Sequence, residues 1–217
     1  VVDFDNYDNR RMFSDAVHVN IADKVYQYLG WLIDDSRDDD YHEKADLIDG
    51  IDYYVLVNGH HRTVQERFRT SKNCNYNDIT LRYQYPENKD DRSKSEWFKL
   101  TADYFMYGVI NQNTNDSRKI KPSAKFLKLV VIDLRVFSRL VDNEKIIVGS
   151  EKFSKIIDGK LVGGLNSNVS RVHDNRSIFA VFDVKHLYQT NEDLIIVEKG
   201  YNTPKDIFQN TDQYRKI

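Results

Sequence analysis

The apolar positions change period several times along the chain, and each change marks an element. Over Ser14–Leu32, the residues Val17, Ile21, Val25, Tyr28, Leu29 and Leu32 fall on one helical stripe. This predicts a helix with Ser14 as N-cap and Asp15 in a first turn where the dipole favours negative charge. From Ile51 the period becomes two. Ile51–Val57 is β-branched and aromatic, Asn58-Gly59 is a hairpin signal, and Arg62–Thr70 resumes as the second strand. Ile79–Tyr85 predicts a third strand closed by Pro86, Glu96–Leu100 a short helical turn, and Ala102–Ile110 a strand apolar enough for burial on both faces. Asp34–Asp40 carries too much like charge to pack and reads as a solvated loop. A metal loop is the alternative there, without the alternation and closing glutamate of a calcium-binding hand. Glu87–Ser95 reads as a charged loop and Asn111–Ser123 as a polar, basic connection.

The last third contains an internal echo. Leu127–Leu140 (LKLVVIDLRVFSRL) and Ser177–Gln189 (SIFAVFDVKHLYQ) each run from an apolar strand through an aspartate into an amphipathic helical turn. Asp133 and Asp183 at the junctions are expected to be N-caps. Leu194–Val197 predicts a further buried strand, and Tyr201–Ile217 a polar tail.

Composition narrows the class. At 217 residues the chain is long enough for one large domain or a domain with an appendage. It has no apolar run of the roughly 18–20 residues that span a bilayer, and its acidic, polar opening is unlike a secretory leader. The expectation is a soluble, cytoplasmic α/β protein with no membrane partner. The single Cys74 excludes an intramolecular disulfide framework and any multi-cysteine zinc site, and gives a thiol nucleophile no convincing histidine partner. Gly163-Gly164 belongs to neither a phosphate loop nor a dinucleotide fingerprint. His60-His61 reads as a solvated hairpin tip, because adjacent strand side chains point apart.

The formal charge of −2 conceals a division. Residues 1–58 hold fourteen Asp/Glu against five Lys/Arg, and the remainder twenty against twenty-seven. The densest basic stretch holds Arg118, Lys119, Lys121, Lys125 and Lys128 without an intervening acid. It is either an ordinary solvated loop or, with Arg69 and Lys72, a surface that displaces counterions from nucleic acid.

The candidate chemistry lies across the hairpin, in Asp49-Gly50-Ile51-Asp52-Tyr53-Tyr54-Val55 and Thr63-Val64-Gln65-Glu66-Arg67-Phe68-Arg69. Alternation puts Gln65, Arg67 and Arg69 on one face and Val64, Glu66 and Phe68 on the other. Pairing brings Asp52 near Gln65 or Glu66. Oxygen ligands for Mg²⁺ beside a cation are what phosphodiester hydrolysis needs.

These two segments resemble the PD-(D/E)xK nuclease superfamily, in its Mrr-like branch, where a D-G-x-D strand leads into a strand carrying Q-x-K. The match covers roughly residues 14–110. It implies an α/β, restriction-endonuclease-like core over residues 1–124, a mixed sheet flanked by helices. Residues 125–217 are then a C-terminal α/β extension for DNA recognition or dimerisation, continuous with the core or separate. It further implies duplex DNA as partner, Mg²⁺ or Mn²⁺ as cofactor, and a homodimer as the form in which many such enzymes cut both strands. Carried onto this sequence, Asp52 is the principal metal carboxylate, Gln65 takes the place of the glutamine, and Arg67 that of the lysine. Arginine keeps its proton and is a poor base. A β-bulge would rotate Glu66 inward as the ligand instead of Gln65. Asp49 offers a second metal ligand or a strand cap, and Asp15 and Asp23 offer acids from the first helix. Lys99 is a substitute for the missing lysine or an exposed side chain. Asp103, entering an apolar strand, needs a partner, with Lys99 or Arg67 as candidates. Two functions follow: a metal-dependent endonuclease, or a nuclease-fold DNA-binding or assembly component that does not cut.

Overall fold

The computed structural model describes residues 7–34, 51–84, 95–167 and 178–207, with side chains from Arg11 onward. Asp49, the run 35–40, Pro86 with the loop after it, and the tail past Ile207 lie outside the described residues.

Helix α1 spans Tyr7–Val17 and α2 spans Asp23–Leu29, joined by a π-helical turn, His18–Ala22. The expected helix is therefore present but starts earlier and is locally underwound from His18. Gly30, at φ 70, ends it in the left-handed conformation that glycine adopts without a Cβ penalty. Leu32, expected on the helix, instead begins β1 (Leu32–Ile33).

The hairpin forms as expected. β2 (Tyr53–Val57) and β3 (His60–Arg69) pair antiparallel around Asn58 and Gly59, whose φ values of 51 and 78 suit a type I′ turn. β5 (Tyr104–Ile110) runs parallel to β3 and is buried along its whole length, and β6 (Phe126–Asp133) and β11 (Ile195–Lys199) continue the sheet. This first sheet has the order β1-β2-β3-β5-β6-β11. β4 (Asp78–Gln84) leaves it. It heads a second sheet, β4-β10-β9-β7, with β7 at Ile146–Val148, β9 at Lys160–Ser167 and β10 at Ile178–Asp183. β8 (Lys155–Ile157) also pairs with β9.

Two cores result. The outer face of the first sheet packs Val64, Phe68, Met106 and Val131 against Phe13, Val17, Ile21 and Val25 of the helical layer. Its inner face packs Phe105, Tyr107, Val130 and Ile132 against Ile79, Leu81, Leu161 and Phe182 of the second sheet. Helices α3 (Leu134–Asp142) and α4 (Val184–Thr190) join this inner core.

The sequence echo is a structural one. Asp133 accepts from the backbone N–H of Arg135 and Val136, and Asp183 from those of Lys185 and His186. Leu134 N–H donates to Asp103 O, and Val184 N–H donates to Asn77 O, the residue before the neighbouring strand in each case. Thus β5-β6-α3 and β4-β10-α4 repeat one local plan, once in each sheet. Residues after 125 supply β6 and β11 to the first sheet and most of the second. The chain is an α/β protein with mixed sheets, and no described helix is long and apolar enough to cross a membrane.

Candidate functional site

The alternation of β3 decides what meets what. Val64, Glu66 and Phe68 are buried under the helical layer, while Gln65, Arg67 and Arg69 are half-buried and face the second sheet. An acid on the apolar face must bring partners, because an unpaired buried charge is costly. Glu66, with a side chain 1% exposed, finds them on the helices. His18 Nδ1 lies 3.0 and 3.1 Å from its two oxygens, and Tyr26 Oη donates to Oε1 at 2.5 Å. The underwound π-turn begins at His18, and such π-bulges often occur at functional sites. Tyr53 stacks on the His18 ring, 3.7 Å between centroids and 11° from parallel.

Asp52 joins this group from the start of the hairpin. Its Oδ2 accepts from Glu66 N–H at 2.6 Å, so Asp52 does meet the Gln65-Glu66 segment, through the Glu66 backbone. Burial first, then the charges of Glu66, Asp15 and Asp52, push the Tyr53 hydroxyl well above its ordinary range. The Arg11 charge acts the other way, so two α1 side chains of opposite sign, Asp15 and Arg11, influence the Tyr53 hydroxyl. Tyr26 is raised likewise, by burial and then by Glu66.

The other face holds a separate ion pair. Arg67 bonds Glu96 and donates to Thr80 O at 2.8 Å, while Glu96 also accepts from Arg82 N–H at 2.7 Å. Arg67 therefore points away from Glu66. Asp103 pairs with neither expected cation. Its Oδ2 accepts from Thr63 N–H and Oγ1 at 2.9 and 3.2 Å, with Arg135 Nε at 3.8 Å from Oδ1. Among the described residues no group of three or more His, Cys, Asp or Glu side chains converges as metal ligands do.

Several of the basic residues are engaged by partners within the fold, Arg118 and Lys119 while remaining exposed. Asp116 accepts from Arg118 Nε and Nη2 at 2.9 and 3.0 Å and pairs with Lys119 at 3.3 Å, which lowers its carboxyl to about 2. Lys128 Nζ donates to Tyr76 O and Asn77 Oδ1. Arg69 reaches Thr80 Oγ1 at 3.4 Å. Lys72, Lys121 and Lys125 are exposed, and backbone bonds gather them at one end of the first sheet. Ser71 N–H donates to Gln112 O, Lys121 N–H to Gln112 Oε1, and Asn111 N–H to Lys125 O. Lys199, at the end of β11, joins them: burial lowers its ammonium and the Lys125 charge lowers it further.

Sequence reasoning missed His18, Tyr26, Tyr53, Glu96 and Lys199. The signal for the first two was present. Glu66 alternates with Val64 and Phe68, so a buried carboxylate needed donors from whichever helix covered that face. An open cleft of about 540 Å³ lies beside Asp133, Arg135, Val136 and Arg139. Its Arg135 is spent on Asp133 and stacks 4.9 Å from the Tyr104 ring centre. Comparison with protein-family models, with curated proteins and with solved structures gave no match to this chain.

Proposed function

We propose that this chain binds nucleic acid, duplex DNA as the partner, through the basic end of its first sheet, on a framework of the restriction-endonuclease-like kind. The supporting observation is that the hydrogen bonds of the 111–125 loop bring Lys121 and Lys125 to the segment of Lys72, which is remote from them in sequence. Clustered exposed ammonium groups gain affinity for a polyanion by releasing its counterions. Arg118, Lys119, Arg69 and Lys128 contribute less, because each already serves a partner within the fold. In a gel-retardation assay at low salt the double variant Lys72→Glu/Lys125→Glu is expected to bind duplex DNA at least about tenfold more weakly than wild type. Equal retardation by both proteins would count against the reading.

A second reading, cleavage of the bound strand, draws on the contact between Asp52 and Glu66 N–H. The donor set does not suit Mg²⁺ or Mn²⁺ as it stands. Both Glu66 oxygens are engaged by His18 and Tyr26, and Gln65 and Arg67 lie on the opposite face. The binding reading expects supercoiled plasmid to stay intact with either ion, for wild type and Asp52→Ala alike. Nicking by wild type that Asp52→Ala abolishes would establish the hydrolase instead.

A further inference from the structure

The antiparallel register of β4 and β10 sets Asp78 directly opposite Asp183. Like charges placed so are unfavourable unless a proton or cation comes between them. Each packed element contributes to their surroundings. Arg69 comes from β3, and Tyr107 of β5 acts on the neighbouring Tyr201. Lys128 comes from β6, donating to Tyr76 O and Asn77 Oδ1 at 2.7 and 2.6 Å, with Cys74 beside it. β11 contributes Glu198 and the turn after it Tyr201, whose buried hydroxyl has no hydrogen-bond partner among the described residues. On α4, His186 N–H donates to Asp183 Oδ1, while its Nδ1 meets Ser154 Oγ at 3.2 Å. Asp183 Oδ1 is committed to capping the helix. Asp78 is pushed up to about 6, by burial and then by Asp183, with Lys128 and Arg69 acting the other way.

This cluster lies beneath the basic end. Lys128 ties β6 to the loop that carries Lys72, and Gly200, one residue after Lys199, packs on Leu127 O and the Lys128 stem. We propose that Asp78 and Asp183 form a proton-operated charge switch for that surface. With one proton on the pair, Lys128 and Arg69 are left in excess and add to the field of Lys72, Lys121 and Lys125. With the proton gone, the two carboxylates offset them. The coupling rests on the nucleic-acid reading above, whereas proton uptake by the pair does not.

Two readouts on the full chain separate these. The first is the urea midpoint from pH 4 to 8. A carboxyl whose folded pKa is raised contributes stability at low pH that is lost as pH rises through about 6. Wild type is expected to lose stability relative to Asp78→Asn over that window, the difference levelling above pH 7. Parallel profiles would overturn the proton pair. The second is fluorescence anisotropy of a labelled duplex at fixed ionic strength. Wild type is expected to bind about fivefold tighter at pH 5.5 than at pH 7.5, since each added positive charge strengthens phosphate binding. Asp78→Asn should hold the tight value throughout, and His186→Gln should keep the step. Asp183→Asn, which preserves the cap, should move the step to lower pH. A wild-type step that survives in Asp78→Asn overturns the switch. Absence of binding at every pH overturns the nucleic-acid reading and the coupling with it, and the urea profiles still judge the pair.

Discussion

A carboxylate as deep as Glu66 is held by its donors, and they by it. Removing it strands His18 and Tyr26, two buried polar groups, without the acceptor they share. Glu66→Ala is therefore expected to cost about 3 kcal/mol in urea denaturation, since each buried polar group left unsatisfied costs about 1–3 kcal/mol. A loss below about 1 kcal/mol, the net worth of an ordinary hydrogen bond, would mean that the network is not a structural unit. The alternation of β3 is legible from its residues, which is why Gln65 and Glu66 were expected on opposite faces. Which face carries the chemistry was not, because it depends on where a distant helix docks. Tyr53 shows the same limit: its stacking on His18 joins residues 35 positions apart in the chain.

At the scale of elements, local signals held. The Asn-Gly hairpin, the strand buried on both faces and the two aspartate caps follow from neighbouring residues. Asp133→Ala and Asp183→Ala are each expected to lower stability by about 1 kcal/mol, with Asn at either site retaining most of it. Thermal or urea unfolding measures this, and no loss at Asp183 would argue against the repeated plan. Gly108 has a different role. A Cβ there would stand 2.4 Å from a Phe126 ring carbon, so Gly108→Ala must displace that ring. The expected cost is about 1–3 kcal/mol, typical of overpacking a filled core. The third strand shows what sequence leaves open. Ile79 and Leu81 satisfy alternation equally well in either sheet, and only long-range pairing with β10 assigns β4 to the second. Asp103 likewise gained its partner from a strand and a helix, where nearby cations had been the candidates.

For the whole molecule, the division at residue 125 marks no break in the first sheet. β6 and β11 pair on from β5, and burial of β5 on both faces depends on them and on the second sheet. A fragment ending at residue 124 is expected to lack a cooperative urea transition, measured by circular dichroism; a sharp transition would show an autonomous core. The acidic opening and basic remainder were legible by counting. What counting leaves out is commitment: Asp116 pairs with Arg118 and Lys119, and Arg69 and Lys128 bond residues of β4 and the loop before it, so the field at this end rests mainly on the exposed Lys72, Lys121 and Lys125. The most direct test of that field is the salt dependence of duplex binding. The slope of log affinity against log salt steepens by about 0.9 for each phosphate neutralised, so Lys72→Gln/Lys121→Gln/Lys125→Gln is expected to flatten it by nearly three. A triple variant that keeps both the wild-type slope and the wild-type affinity would contradict nucleic-acid binding at this end of the sheet.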